Sequence, residues 1–306
     1  MENRCLLLVL MLCSPLCAFE QESPADILPE KRIALLMLDK NPSFREMRQG
    51  MKEVLAHAKT CVTTLVTFNA HANEQEKKTC VERIVGNFDA ALVIGNVCMQ
   101  ALLEHAHAQN SSMPIVVAGG PSVQESSKYQ TQYPITWVTE GRQYDKQIEL
   151  LKSISDFAER PATSVLLVYD PVHCPFHVES KNQVAQACEQ HNVEFKVLEI
   201  SNAQEIETMV PSVLDEEQPD VVMTLKDVTI LSVMNKLADM CAARDIPLYA
   251  SNSHAITQGA AYAFSVPDKM FGHEAASMLL QILDEGVPAN HIPVKDIASK
   301  STLVMK

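Results

Sequence analysis

The sequence predicts an α/β fold of two similar lobes, each a parallel sheet wrapped by helices, and three observations carry that prediction. First, one pattern of strand and helix occurs twice. Apolar runs at residues 32–39 (RIALLMLD), 62–68 (VTTLVTF), 88–96 (FDAALVIGN) and 113–120 (MPIVVAGG) alternate with helix-like segments. The order recurs from Ser164 as SVLLVYD, EFKVLEI, PDVVMTLKD and DIPLYASN, ending at Asn252. Second, the runs are continuous and rich in Val, Ile and Leu rather than alternating, as strands covered on both faces require. Third, a polar break at residues 122–133 (SVQESSKYQTQY) separates the two repeats. The expected architecture is two Rossmann-like lobes with parallel sheets, joined by a multi-strand hinge. A cleft between such lobes is where a small ligand binds.

The first helix should open after Asn41-Pro42-Ser43, with Ser43 as cap and Glu46 completing a capping box, and should run to about His57. Asn73, Asn202 and Asp227 stand at comparable helix starts. The segment ITWVTEG (135–141) reads as a strand crossing into the second lobe, followed by the helix RQYDKQIELLKSISDFA. After the second repeat, GAAYAFSVP (259–267) reads as a strand and DKMFGHEAASMLLQIL (268–283) as a long helix ended by Gly286. STLVM reads as a last short strand, so the chain recrosses between lobes. The boundaries expected are 31–140 for lobe 1, with part of 265–290, and 141–264 for lobe 2, with part of the C-terminal tail.

The chain of 306 residues is long enough for two cores, and 47% hydrophobic with 21% charged residues is the balance of a globular protein. Its net charge of −13 argues against a counterion-displacing grip on nucleic acid and against docking on anionic lipid. The N-terminus stands apart. MENR followed by the apolar CLLLVLML is too short to span a bilayer but suits a secretory signal, with cleavage after Ala18. Residues 1–18 are therefore expected to be a signal peptide and 19–30 a polar linker, which places the mature chain in the periplasm or outside the cell. Cys17 follows Ser14-Pro15-Leu16, a poor match to the small residues that precede a lipid-bearing cysteine. Six cysteines lie beyond the signal (Cys61, Cys80, Cys98, Cys174, Cys188 and Cys241), mostly within apolar patterns, and core filling is their expected role.

Several stretches resemble a known family: MPIVVAGGPSV (113–123), QIELLKSI (147–154), SVLLVYDP (164–171), PDVVMTLKD (219–227), IPLYASN (246–252), QGAAYAFSV (258–266) and FGHEAASMLLQILDEGVPANHIPV (271–294). In order and spacing the chain resembles the ABC transporter substrate-binding proteins with the type I periplasmic-binding fold, near the tryptophan- and tyrosine-binding members. The resemblance implies no enzyme activity and no cofactor. It implies a monomer that captures a small solute, an amino acid or similar, for an ABC permease in the membrane. It places ligand contacts at Gly95-Asn96, at the Gly119–Ser122 turn, at Tyr169-Asp170, at Asp227 and at Ser251. This chain departs from the family pattern at Asp227-Val228-Thr229, at Thr136-Trp137 and at Gly120-Pro121, so the solute is not transferred by analogy.

The candidate binding residues are Asn96, Gly120, Ser122, Tyr169, Asp227 and Ser251. Strand ends in such sheets feed helix N-termini whose free N–H groups attract anions. The carboxylate of Asp227 suits a ligand ammonium, and the amide and hydroxyls suit a ligand carboxylate. The competing reading is that Asp227 and Asn96 merely cap helices. Trp137, the sole tryptophan, either packs or stacks on ligand near the lobe junction. His173, Cys174 and His177 in PVHCPFH form a candidate metal group, with His254 as a possible fourth ligand, although structural sites normally need four well-placed donors. His105 and His107 fall on different helix faces and read as solvated. No nucleophile elbow, dinucleotide loop, Walker A loop or His-Glu-x-x-His is present. A sensor module, a metal binder and an enzyme with an unfamiliar site stand as the rival readings.

Overall fold

The computed structural model describes residues 28–154, 161–174 and 177–306. The expected signal at 1–18 lies outside them, as does most of the linker. Two six-stranded sheets form the frame. The first has the order β11-β5-β4-β3-β1-β2, with β1 at Glu30–Met37, β2 at Val62–Asn69, β3 at Ala90–Ile94, β4 at Ile115–Ala118, β5 at Ile135–Thr139 and β11 at Lys295–Asp296. The second has the order β12-β10-β9-β8-β6-β7, with β6 at Ser164–Tyr169, β7 at Glu194–Glu199, β8 at Val221–Thr224, β9 at Leu248–Ala250, β10 at Tyr262–Ser265 and β12 at Thr302–Met305. Every pairing is parallel except β10 with β12. The continuous apolar strands are buried at every position in β3, β4, β6 and β8, because helices cover both faces.

The helices are α1 (Pro42–Leu55), α2 (Glu74–Ile84), α3 (Asn96–Ala108), α4 (Ser126–Gln130), α5 (Tyr144–Ser153), α6 (His177–Gln190), α7 (Ala203–Glu217), α8 (Val228–Ser232), α9 (Met234–Ala242) and α10 (Asp268–Glu285). Asn73 and Asn202 cap α2 and α7 through their side-chain oxygens, as their positions imply. The cap of α1 is Asn41 rather than Ser43: Asn41 Oδ1 accepts from Phe44 N at 2.9 Å and Pro42 takes the first turn. Ser43 is instead buried and accepts a hydrogen bond from Asn252 Nδ2 of the other lobe at 3.0 Å. The single helix expected after Asp227 is broken at Val233 into α8 and α9.

The chain passes between the sheets three times, and the crossings are not the strands themselves. β5 belongs wholly to the first sheet, so the passage follows it, at residues 140–143. β10 belongs to the second sheet, and residues 266–267 return the chain to α10, whose Phe271, Ala275 and Leu279 enter the core of the first lobe with Ile33, Leu35 and Leu92. The third passage runs from β11 to β12. Glycine permits the closest helix contact: a Cβ on Gly272 would lie 1.9 Å from Met47 O of α1. The six cysteines beyond the expected signal are all free, and all but Cys80 are buried. Burial pushes the Cys98, Cys188 and Cys241 thiols up to about 12, the behaviour of core-filling groups.

Candidate functional site

A cavity of about 980 Å³ opens between the lobes, at the C-terminal ends of the strands in both sheets. Its first-lobe wall is made by the turns after β3 and β4. Gly95, at φ +81°, turns the chain into α3 without a side chain to cap it, which leaves the N–H groups of the first turn open to the cavity. Gly120 lies so close to Trp137 that a Cβ would meet its ring at 2.5 Å. Trp137 itself is fully buried, donates from Nε1 to Pro121 O at 2.8 Å and packs edge-on to Tyr129, so it supports the turn from beneath. Phe44, Phe264 and Phe271 add apolar surface from both lobes.

Four of the six candidate residues, Asn96, Gly120, Ser122 and Ser251, line this cavity. Asn96 is the first residue of α3 rather than its cap, and its Oδ1 is buried with no hydrogen-bond partner among the described residues. Ser122 makes no capping bond to the short turn it precedes. Ser251 Oγ donates to Thr224 O at 2.9 Å and keeps its lone pairs for a ligand donor.

The structure places Tyr169 and Asp227 elsewhere. Tyr169 is fully buried and its hydroxyl donates to Glu199 Oε1 at 2.6 Å, which carries the side chain sideways to β7 rather than into the cleft. Asp227 is fully buried: Oδ1 accepts from Ile230 N at 2.7 Å and Oδ2 from Asp170 N at 3.3 Å, so it caps α8 and anchors the turn after β6. Burial pushes its carboxyl up to about 7, against the backbone donors that favour the charged form. The parallel drawn between Asp227 and Asn96 fails because an extended chain turns successive side chains to opposite sides. Lys226, one residue earlier, is the group that faces the cavity.

The candidate metal group does not assemble. His173 Nδ1 bonds to Asp170 Oδ2 at 2.7 Å, and Asp170 in turn accepts from Thr229 Oγ1. Cys174 is buried with its thiol pushed up to about 12 by burial, the opposite of a ready thiolate. His177 is buried and its pKa is pushed down to about 4, first by burial and then by the charge of Arg142. No group of three His, Cys, Asp or Glu able to hold a metal occurs among the described residues. His254 sits in the turn Ser253–Gln258 beside Thr257, away from the cavity lining.

Lys226 was not singled out by the sequence, nor were the residues of the first crossing. Its ammonium bonds Asp268 Oδ1 at 3.0 Å, stands 3.9 Å from Glu140 Oε2 and lies over the Phe271 ring. Burial alone would favour the neutral amine, but Asp268 and Glu140 outweigh it and raise the pKa above the usual lysine range. Glu140 also accepts from Val266 N at 2.7 Å, which ties the first crossing to the second, and burial raises its carboxyl above the ordinary value. The arrangement offers binding chemistry: open N–H groups, aromatic surface and paired charges around a cavity of solute size.

Two lobes of mostly parallel strands around a cleft define the type I periplasmic-binding fold. Residues 32–306 match the model of the ABC transporter substrate binding protein family, and the chain belongs to that family. An uncharacterized protein of Rickettsia prowazekii, RP367, is 23% identical over 268 residues, covering 87% of this chain and 80% of that one. A conserved domain protein of Vibrio cholerae superposes with a TM-score of 0.76 at 19% identity, covering 90% of this chain and 91% of the other. An ABC domain from Streptococcus pneumonia, solved in complex with L-Trp, superposes with a TM-score of 0.77 at 16% identity, covering 90% and 92%. Membership implies a small-molecule ligand and a permease partner, in a family that is not an enzyme class and typically works outside the cytoplasm. No helix among the described residues is long and apolar enough to cross a membrane.

Proposed function

We propose that this chain captures a small solute, an amino acid with an apolar or aromatic side chain, in the cleft and delivers it to an ABC permease. The observation that carries the reading is the cavity of about 980 Å³, which joins the open N-terminus of α3 to Phe44, Phe264 and Phe271. The L-Trp complex of the Streptococcus pneumonia neighbour is consistent with that choice of solute. Asn96, Gly120, Ser122 and Ser251 are the binding residues proposed. The chain works as a monomer, exported by residues 1–18 and processed after Ala18, without catalysis. Its lobes, about 31–140 with part of 265–290 and 141–264 with part of the tail, close about the crossings.

A thermal-shift panel of the twenty amino acids, nucleosides, sugars and divalent metals tests this. A ligand that binds only the folded state at a hundred times its Kd stabilises by about 2.7 kcal/mol. An apolar amino acid should raise the melting temperature. A shift with only sugars, nucleosides or metals, or with nothing, contradicts the proposal.

A further inference from the structure

The reading of the cleft as a solute site leaves one cation without a role. Arg142 lies in the first crossing and lines the cavity. The backbone on either side of it is pinned: Gly141 N donates to Asp296 Oδ1 at 2.9 Å, and Gln143 Nε2 donates to Ser301 Oγ at 3.0 Å and to Ala298 O. A Cβ on Gly141 would fall 2.2 Å from Asp296 Oδ2, so this contact fixes the crossing closely. The side chain between these anchors is exposed and makes no hydrogen bond or ion pair with any described residue.

The other charged side chains of the cavity are all engaged. Lys226 holds Asp268, and Glu140 accepts from Val266 N and Ser301 Oγ. Glu179 accepts from Gln183, Asp296 from Gly141 N and Ala298 N, and Glu125 stands 3.9 Å from Lys128. The charge of Arg142 is felt by the buried His177 imidazole, whose pKa burial and then Arg142 push down to about 4. Across the cavity the uncapped N-terminus of α3 adds positive potential. Of the two cations that line the cavity, Lys226 is held by Asp268, and Arg142 alone is left without a hydrogen bond or ion pair among the described residues.

We propose that Arg142 is the anion anchor of the cleft, and that the solute carries a carboxylate which its guanidinium grips as the lobes close. The proposal rests on solute capture at this site. Closure removes water from the guanidinium, and an unpaired cation left in a dry cleft is unfavourable unless an anion meets it. The planar fork of arginine binds a carboxylate through two parallel hydrogen bonds, which lysine does not reproduce. A sugar or a nucleoside brings no charge to this place. The aromatic surface then takes the apolar body of the same molecule.

Calorimetric titration of wild type, Arg142→Gln and Arg142→Lys tests the assignment, with melting curves of the free proteins confirming that the variants fold. The probes are L-tryptophan, L-phenylalanine, indole-3-propionate, which keeps the carboxylate without the ammonium, and tryptamine, which keeps the ammonium without the carboxylate. Wild type should bind one or more of the three carboxylates and bind tryptamine at least about tenfold more weakly. Arg142→Gln should weaken the carboxylate by about tenfold or more, and Arg142→Lys should lie between. Unchanged affinity in Arg142→Gln overturns the anchor, as does tryptamine binding as tightly as the carboxylates; either leaves solute capture standing. Binding of uncharged compounds alone from the wider panel also overturns the anchor. Silence from every compound overturns both readings.

Discussion

Asp227 Oδ2 and His177 Nδ1 lie 3.9 Å apart in the floor of the second lobe, and burial shifts them in opposite senses. Asp227 titrates near 7 when folded and near 4 when unfolded, so the folded state holds the extra proton between those values. Its contribution to stability is greatest at low pH and is lost as pH rises through 7. His177 is lowered to about 4, so the unfolded state binds the extra proton between 4 and 6.5, and its contribution is lost as pH falls through that range. The two slopes oppose one another in the wild type. Asp227→Asn keeps an oxygen for the α8 cap, loses the bond from Asp170 N at a cost that does not vary with pH, and removes the titration. Its melting temperature relative to wild type should rise from pH 5 to pH 8, by an amount read from calorimetric scans. A constant difference across that range contradicts the buried-acid role. The same residues show where sequence reading stops. The sequence marked Asp227 as either cap or ligand, and the cap is what the structure contains. The resemblance marked Tyr169 at the end of a strand, but whether a side chain there faces cleft or neighbour depends on Glu199, thirty residues away.

At the scale of the element, strands and most helix starts were legible because they repeat and because Asn or Asp precedes the apolar pattern. Asn73 and Asn202 cap as expected, whereas Ser43 lost to Asn41, since Pro42 is suited to the first helical turn. The crossings were legible in place but not in detail: residues 140–141 read as strand and 142–143 as helix, whereas they form the passage between β5 and α5, so nothing flagged the side chains of Glu140, Arg142 or Gln143. The seam between α1 and α10 joins the C-terminal helix to the first lobe through glycines, and its closeness yields a prediction. Gly272→Ala drives a methyl into Met47 O and should destabilise by about 3 kcal/mol or more, because two helix backbones must part. Gly286→Ala, at φ +69° with open space around it, should cost only about 1 kcal/mol. Denaturant unfolding measures both, and equal small losses would show that the seam relaxes freely.

For the whole molecule, Asn252 to Ser43 and Lys226 to Asp268 are bridges between the lobes. Asp268 is 1% exposed and its Oδ2 has no partner among the described residues, so removing the lysine strands a buried charge. Lys226→Met should lower stability by about 3 kcal/mol in chemical unfolding, and a neutral outcome would deny the bridge any role in holding the lobes together. The repeated pattern made two lobes and a cleft predictable from sequence. Which charges meet across the cleft depends on how the lobes sit against each other, and no local signal encodes that. Capture in the proposed manner requires the cleft to close on its solute, because ligand shifts a two-lobed protein only by binding one arrangement better than another. Small-angle X-ray scattering of the purified protein, with and without a saturating apolar amino acid, tests it most directly. The radius of gyration should fall with solute bound, and identical scattering curves at demonstrated saturation would show that the lobes do not close.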